Sequence, residues 1–237
     1  MEDSRRRPVQ AILFDLDGTL LDTSDDFVHT LNRLLADDDR PPLPAQLIRS
    51  QVSNGSAAMV TLGYGLQPSD DDFEPQRQRF LKAYQQHTSQ ADRDTSAHLF
   101  DGMDELLAAI ETSDIPWGIV TNKPRHLTVP ILEQLKLSQR CAVLVCPEDV
   151  ANRKPDPESL WLATETLDCS PEACLYVGDH ERDIQAGQAA GMFTFAALYG
   201  FIPAGEDPDD WRADYNVDSP QHLLEWLDDW DWQLPDN

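Results

Sequence analysis

Lysine is nearly missing from this chain: Lys82, Lys123, Lys136 and Lys154 are the only four in 237 residues. With arginine included, 18 positive charges face 43 Asp and Glu, a formal net charge of -25. A surface of that sign repels nucleic acid and anionic lipid, which argues against both as partners. It also repels an anionic substrate, so any site for one must gather positive charge locally. Adaptation to high salt and lineage drift both account for the acid excess, and composition does not separate them. No run of about 20 apolar residues exists to span a membrane. Arg5, Arg6 and Arg7 ahead of an apolar run imitate a signal peptide, but the run is too short and ends at Asp15. A cytoplasmic protein is expected. Cysteine is also sparse. Cys141/Cys146 and Cys169/Cys174 loosely match zinc-ligand spacing, yet the first pair brackets a strand-like run, where an odd separation points side chains to opposite faces. Free thiols are expected in place of a zinc site. There is no internal repeat, and nothing in the sequence reports an oligomeric state.

What is present is an alternation of strand and helix signals. Short apolar runs at 10–14, 117–121, 142–146, 174–178 and 193–197 are nearly continuous in hydrophobicity, as in parallel strands buried on both faces. Between the later runs, apolar residues recur at helical spacing: Met103, Leu106, Leu107 and Ile110; Leu127, Ile131, Leu132 and Leu135; Leu160, Ala163, Thr164 and Leu167. This predicts an α/β fold, a Rossmann-like parallel sheet with helices on both faces. Roughly a hundred residues separate the first two strands, far more than one crossover requires. Helical patterns at 27–35, 48–62 and 73–84 fill the gap, so an inserted all-helical cap domain is expected at 22–98, with 1–21 and 99–237 forming the core. Such an insertion leaves from the carboxyl end of a strand, where α/β folds bind ligands, and can act as a lid. Residues 213–217 read as an edge strand and 220–230 as a last helix, with Trp226, Trp230 and Trp232 as packing anchors.

Polar residues follow each strand. The first ends in Asp15-Leu16-Asp17-Gly18-Thr19, two carboxylates facing one cleft because the residue between them points the other way. Gly18 permits a tight turn there. Thr121-Asn122 follow the second strand, Lys154-Pro155 the loop after the third, and Asp179 the fourth, with Asp183 four residues on. A turn alone explains an acidic pair before glycine. It does not explain why every strand tip carries such residues.

As a set, these positions resemble the four signature motifs of the haloacid dehalogenase superfamily, over about residues 12–199. The resemblance implies a phosphatase in which Asp15 is the nucleophile that forms an aspartyl-phosphate and Asp17 the general acid and base. Thr121 and the Asn122 N–H would bind phosphoryl oxygens, and Lys154 would hold nucleophile and phosphate together. Asp17 argues against a dehalogenase, whose leaving halide needs no proton. Like charges about 4 Å apart cost about 4 kcal/mol per pair at an effective dielectric near 20, so Asp15, Asp179, Asp183 and a phosphate require a hard cation, for which Mg2+ is the natural candidate. By resemblance, Asp15, the Asp17 carbonyl and Asp179 would be its ligands, with Asp183 acting through water. Lys123 reads equally as a second cation or a solvated loop lysine, and His180 as a substrate contact or a surface histidine.

Substrate choice in such enzymes lies in the cap. Ser53-Asn54-Gly55 resembles a specificity loop, and Arg49 is a candidate partner for a substrate carboxylate. Residues 53–60, 145–157 and 199–203 resemble bacterial phosphoglycolate phosphatases, and among them the branch acting on N-acetylmuramic acid 6-phosphate in cell-wall sugar recycling. The expected partner is therefore a small phosphorylated metabolite, with 2-phosphoglycolate or another sugar phosphate as the alternative. A phosphonatase would need a Schiff-base lysine in the cap, where Lys82 is the only candidate. A phosphomutase and a non-catalytic scaffold complete the alternatives.

Overall fold

A computed structural model describes residues 7–88, 95–229 and 231–234; Arg5, Arg6 and Trp230 lie outside them. The first strands are β1 (Arg7–Pro8) and β2 (Ala11–Phe14), and all four side chains of β2 are fully buried. A short β3 (Leu21–Asp22) leads into α1 (Ser24–Asp37), α2 (Ala45–Arg49), α3 (Gly55–Tyr64) and α4 (Phe73–Thr88). The chain returns through β4 (His98–Leu99), antiparallel to β3 with Leu21 opposite Leu99. Then strands and helices alternate: α5 (Met103–Thr112), β5 (Trp117–Val120), α6 (Arg125–Gln134), β6 (Val143–Val145), α7 (Glu158–Leu167), β7 (Cys174–Gly178), α8 (Glu181–Ala190) and β8 (Phe193–Ala197). The edge strand β9 (Tyr215–Val217), α9 (Pro220–Asp229) and β10 (Gln233–Leu234), which pairs with β1, follow.

The main sheet has the order β6-β5-β2-β7-β8-β9, and every neighbouring pair in it is parallel. Alternate residues of β2 face opposite layers. Ile12 and Phe14 pack with Leu106, Leu107, Ile131 and Leu223 from α5, α6 and α9. Ala11 and Leu13 pack with Leu160, Ala163, Ala186 and Ala190 from α7 and α8. Both faces are covered, which is why the strand runs read as continuous apolar stretches. The strand order reverses at β2, between β5 on one side and β7 on the other, and a parallel sheet opens its crevice at such a reversal.

The helices between residues 24 and 88 have their own apolar centre: Phe27, Leu31, Leu34 and Leu35 of α1 against Ile48, Met59, Phe80 and Tyr84. Leu127 of α6 and Phe201 join this cluster from the sheet side. The helical stretch expected at 48–62 is two helices, separated by a turn that holds Ser53 and Asn54. Helix α1 starts where Asp22 accepts hydrogen bonds from the Ser24 N–H (3.0 Å) and hydroxyl (2.6 Å), and Asp25 and Asp26 favour its positive end. The β3–β4 pairing has no sequence signal because two residues cannot display a period. At the far edge Trp226 is buried, 4.9 Å from Phe195 and 5.3 Å from Tyr215, a packing anchor.

Candidate active site

Asp15 and Asp17 leave the carboxyl end of β2, at the strand reversal. The Asp15 N–H still donates to the Val177 carbonyl (2.9 Å), holding that residue in strand geometry, and Leu16 between the two acids is fully buried. Gly18 then takes φ +88°, and a Cβ there would overlap the Asp179 carboxylate, so only glycine lets the turn and the β7 tip approach. Asp17 Oδ1 accepts from Thr23 Oγ1 (2.7 Å) and from Lys123 Nζ (2.8 Å).

Beyond β5, the Thr121 N–H continues the ladder to the Val145 carbonyl (3.0 Å) and its hydroxyl accepts from the Lys123 N–H (3.1 Å). Asn122 donates from Nδ2 to the Lys154 carbonyl (3.0 Å), tying the Thr121 loop to the loop after β6. Lys154 is 3% exposed. Its Nζ lies 2.9 Å from Asp15 Oδ1, 2.8 Å from Asp183 Oδ1, 2.7 Å from Tyr176 Oη and 2.8 Å from the Val120 carbonyl. Burial opposes its charge, yet Asp15 and Asp183 hold its pKa above the usual lysine value. Beyond β7, Asp179 accepts from Ser53 Oγ (2.6 Å) and the Phe201 N–H (2.8 Å) at Oδ2, and from Thr19 Oγ1 (3.3 Å) at Oδ1.

Carboxylate oxygens of Asp15, Asp179 and Asp183 all lie within 4.8 Å of one another, and all three residues are buried. The single ammonium of Lys154 does not neutralise them. Burial raises the Asp15 carboxyl above its ordinary range despite Lys154, and burial followed by the charges of Asp15 and Asp183 pushes Asp179 up to about 7. Asp183 Oδ2 is buried and has no hydrogen-bond partner among the described residues. An all-oxygen donor set with surplus negative charge and an orphaned carboxylate oxygen fits a hard divalent cation.

Asp15 of this cluster and Asp17 line a cavity of about 890 Å3, together with Thr121, Lys154, His180 and Arg182 and with Ser53, Phe73, Arg77, Phe80 and Tyr84 from the helical stretch before β4. The model of the haloacid dehalogenase-like hydrolases matches residues 12–197 of the sequence, a span that contains every one of these strand-tip residues. The chain belongs to the haloacid dehalogenase-like hydrolases. It is 45% identical over 222 residues to the N-acetylmuramic acid 6-phosphate phosphatase of Pseudomonas putida, covering 93% of this chain and 96% of that protein. It is 42% identical over 218 residues to the phosphoglycolate phosphatase of Xanthomonas campestris pv. campestris, covering 91% and 95%. Its fold matches a haloacid dehalogenase-like family hydrolase from Streptococcus pneumoniae with TM-score 0.77, at 21% identity and 92% and 98% coverage.

Against what the sequence led us to expect of this family, one residue must be corrected. Arg49 does not line the cavity. Its Nη1 lies 2.6 Å from Asp22 Oδ2 and 2.6 Å from Ser24 Oγ, and its guanidinium sits 4.8 Å from the centre of the Phe201 ring. That ion pair joins α2 to β3 and the start of α1. Ser53, Asn54 and Gly55 do line the cavity. Lys82 is exposed and outside the cavity lining, so the cap lysine that a phosphonatase requires is not at the site.

The two undecided readings resolve toward the site. Lys123 is no solvated lysine: it is 7% exposed, bonded to Asp17 and to Tyr84 Oη (2.9 Å). His180 is half-buried. Its Nδ1 accepts from the Arg182 N–H (3.2 Å), which leaves the proton on Nε2 to donate to Asn54 Oδ1 (2.9 Å). Burial lowers its pKa to about 4, so it is neutral. The Arg182 guanidinium donates to the Ser53 carbonyl, a contact that sequence reading missed. Tyr84 closes the helical pattern at 73–84, and periodicity says nothing of its hydroxyl. Tyrosine in place of phenylalanine on a buried stripe is the one signal that could have flagged it. The four cysteines are free, and the only three-residue metal-ligating group among the described residues is the aspartate triad. No described helix is long and apolar enough to cross a membrane.

Proposed function

We propose that this hydrolase cleaves phosphate monoesters through an aspartyl-phosphate on Asp15, with a phosphorylated sugar acid of the N-acetylmuramic acid 6-phosphate kind as its substrate. The observation that carries the reading is the convergence of four strand ends: Asp15, Asp17, Thr121 and Lys154 line one cavity, and the carboxylate oxygens of Asp179 and Asp183 lie within 4.8 Å of that of Asp15. In this reading a carboxylate oxygen of Asp15 attacks phosphorus while the ester P–O bond breaks, and Asp17 gives its proton to the departing alkoxide. Asp17 then accepts a proton from the water that attacks phosphorus, and the Asp15 O–P bond breaks to release phosphate. Thr121 and the Asn122 N–H orient phosphoryl oxygens, and Lys154 counters the charge of nucleophile and phosphate. Mg2+ would be held by Asp15, Asp179 and the Asp17 carbonyl, with Asp183 behind them, and would supply positive charge to the phosphoryl group. The segment 22–98 acts as the cap, since its residues form one wall of the cavity.

Two observations favour the sugar acid over 2-phosphoglycolate. The Pseudomonas putida relative acts on N-acetylmuramic acid 6-phosphate, as its name states. A cavity of about 890 Å3 is in the range of about 300–1,000 Å3 that holds drug-sized ligands, far more than a two-carbon acid needs. The deciding experiment compares kcat/KM for N-acetylmuramic acid 6-phosphate, 2-phosphoglycolate and glucose 6-phosphate with Mg2+ present. The first should lead, and Asp15→Asn should lose at least about 1,000-fold on it. A preference for glucose 6-phosphate overturns the substrate, and full activity of Asp15→Asn overturns the mechanism.

A further inference from the structure

We infer that Arg77 on α4 recognises the substrate's carboxylate and so sets the preference for sugar acids over neutral sugar phosphates; this rests on the function proposed above. The cavity-lining residues of α4 are Phe73, Glu74, Arg77, Phe80, Leu81 and Tyr84, whose spacing puts them along one face of the helix. Arg77 is the one cation on that face. Phe73 and Phe80, one turn to either side of it, are buried, so the guanidinium stands on an apolar wall where a charge-assisted bond gains strength.

The other cations that line the cavity have partners or lie in water. Lys123 is bonded to Asp17, Lys154 to Asp15 and Asp183, and Arg182 to the Ser53 carbonyl. Arg153 is exposed to solvent next to Lys154, where screening weakens its hold. Arg77 is half-buried. Its Nη1 contacts Glu74 Oε1 and Oε2 at 2.9 and 3.0 Å, and Nε and Nη2 make no hydrogen bond to the described residues, which leaves donors for a second carboxylate. Glu74 is 59% exposed in its side chain, so solvent competes for that pair and an incoming anion can displace it. A phosphate held at Asp15 and Lys154 with a carboxylate held at Arg77 anchors a substrate at two points, and the phenyl rings that line the same cavity suit the methyl group of an acetamido substituent.

The test measures ratios. For wild type, Arg77→Met, Arg77→Lys and Arg153→Met, kcat/KM is determined for N-acetylmuramic acid 6-phosphate against N-acetylglucosamine 6-phosphate, which lacks the carboxylate. The same variants are assayed on 2-phosphoglycolate against ethyl phosphate. Arg77→Met should lower the first ratio about 10- to 100-fold, mainly through KM, with N-acetylglucosamine 6-phosphate turnover unchanged within about twofold, and Arg77→Lys should recover part of the loss. An equal loss on both members of each pair shows a structural role and overturns the assignment, as does a loss that follows Arg153→Met instead. Failure of the function itself would show separately, as wild-type inactivity on N-acetylmuramic acid 6-phosphate; the second pair then judges Arg77, and an unchanged ratio there overturns it.

Discussion

Replacing Lys123 with methionine removes a buried cation that bonds both to Asp17 and to Tyr84 of α4. Its ammonium lies 2.8 Å from Asp17 Oδ1 and 2.9 Å from Tyr84 Oη, with the Tyr84 and Phe27 ring centres at 4.6 and 5.3 Å. At 2.8 Å and an effective dielectric near 20, attraction to Asp17 amounts to about 6 kcal/mol, much of it offset by desolvating both ions. Removing one partner of a buried pair costs about 3–5 kcal/mol, because the other charge is left without compensation. Asp17 keeps 14% side-chain exposure toward the cavity, where water can reach it, so the lower value of about 3 kcal/mol applies. In a chain of this size that is a fall of about 6–12 °C in Tm. Asp17→Asn in the same chain removes the orphaned charge, so the double variant should regain part of the loss, with a coupling energy of about 2 kcal/mol. Tyr84→Phe, which deletes one bond to a charged donor, should cost about 1.5 kcal/mol. Thermal unfolding followed by circular dichroism in EDTA reads wild type, Lys123→Met, Asp17→Asn, the double variant and Tyr84→Phe. A Lys123→Met protein that melts within about 1 °C of wild type, or strictly additive variants, would refute the reasoning.

Mg2+ at about 100 times its Kd should stabilise the wild-type protein by about 2.7 kcal/mol, a rise of about 5–11 °C in Tm that EDTA reverses; Asp179→Asn should abolish the rise, and an unchanged Tm on adding Mg2+ would count against the triad as a metal site. Burial pushes the Cys146 thiol up to about 11 and the Cys174 thiol up to about 12, so neither should react rapidly with a thiol reagent at pH 8 until the chain is unfolded. Because these pKa values are raised above the unfolded value of about 8.5, the thiols' contribution to stability is complete below about pH 8.5 and declines as pH rises toward 11; unfolding midpoints measured between pH 8 and 11 in wild type and in a Cys146→Ser/Cys174→Ser variant test it, the variant showing the shallower decline.

The strands and the polar residues at their tips were legible because their causes are local. A strand buried on both faces must be apolar throughout, so Cys174–Gly178 and Phe193–Ala197 can be read to the residue. Charge at the end of such a strand is costly unless a site requires it, which marked Asp15, Asp17 and Asp179 before any coordinates. Family resemblance ordered them into roles. The helical periodicity between residues 27 and 84 matches α1 to α4, although the internal break at 50–54 and the two-residue β3–β4 ladder left no periodic trace.

What tertiary structure alone decided is how the cations are distributed. Arg49, Lys123 and Arg182 look alike as a sequence of charges, and each is matched to its partner by chain segments brought together from far apart: Asp22 to Arg49 across 27 residues, Asp17 to Lys123 across 106, the Ser53 carbonyl to Arg182 across 129. A side chain's partner depends on which surfaces the fold presses together, and periodicity carries no information about that. Chain-local chemistry determined that this protein has a carboxylate-rich site at its strand ends. Three-dimensional packing determined which positive charges meet those carboxylates.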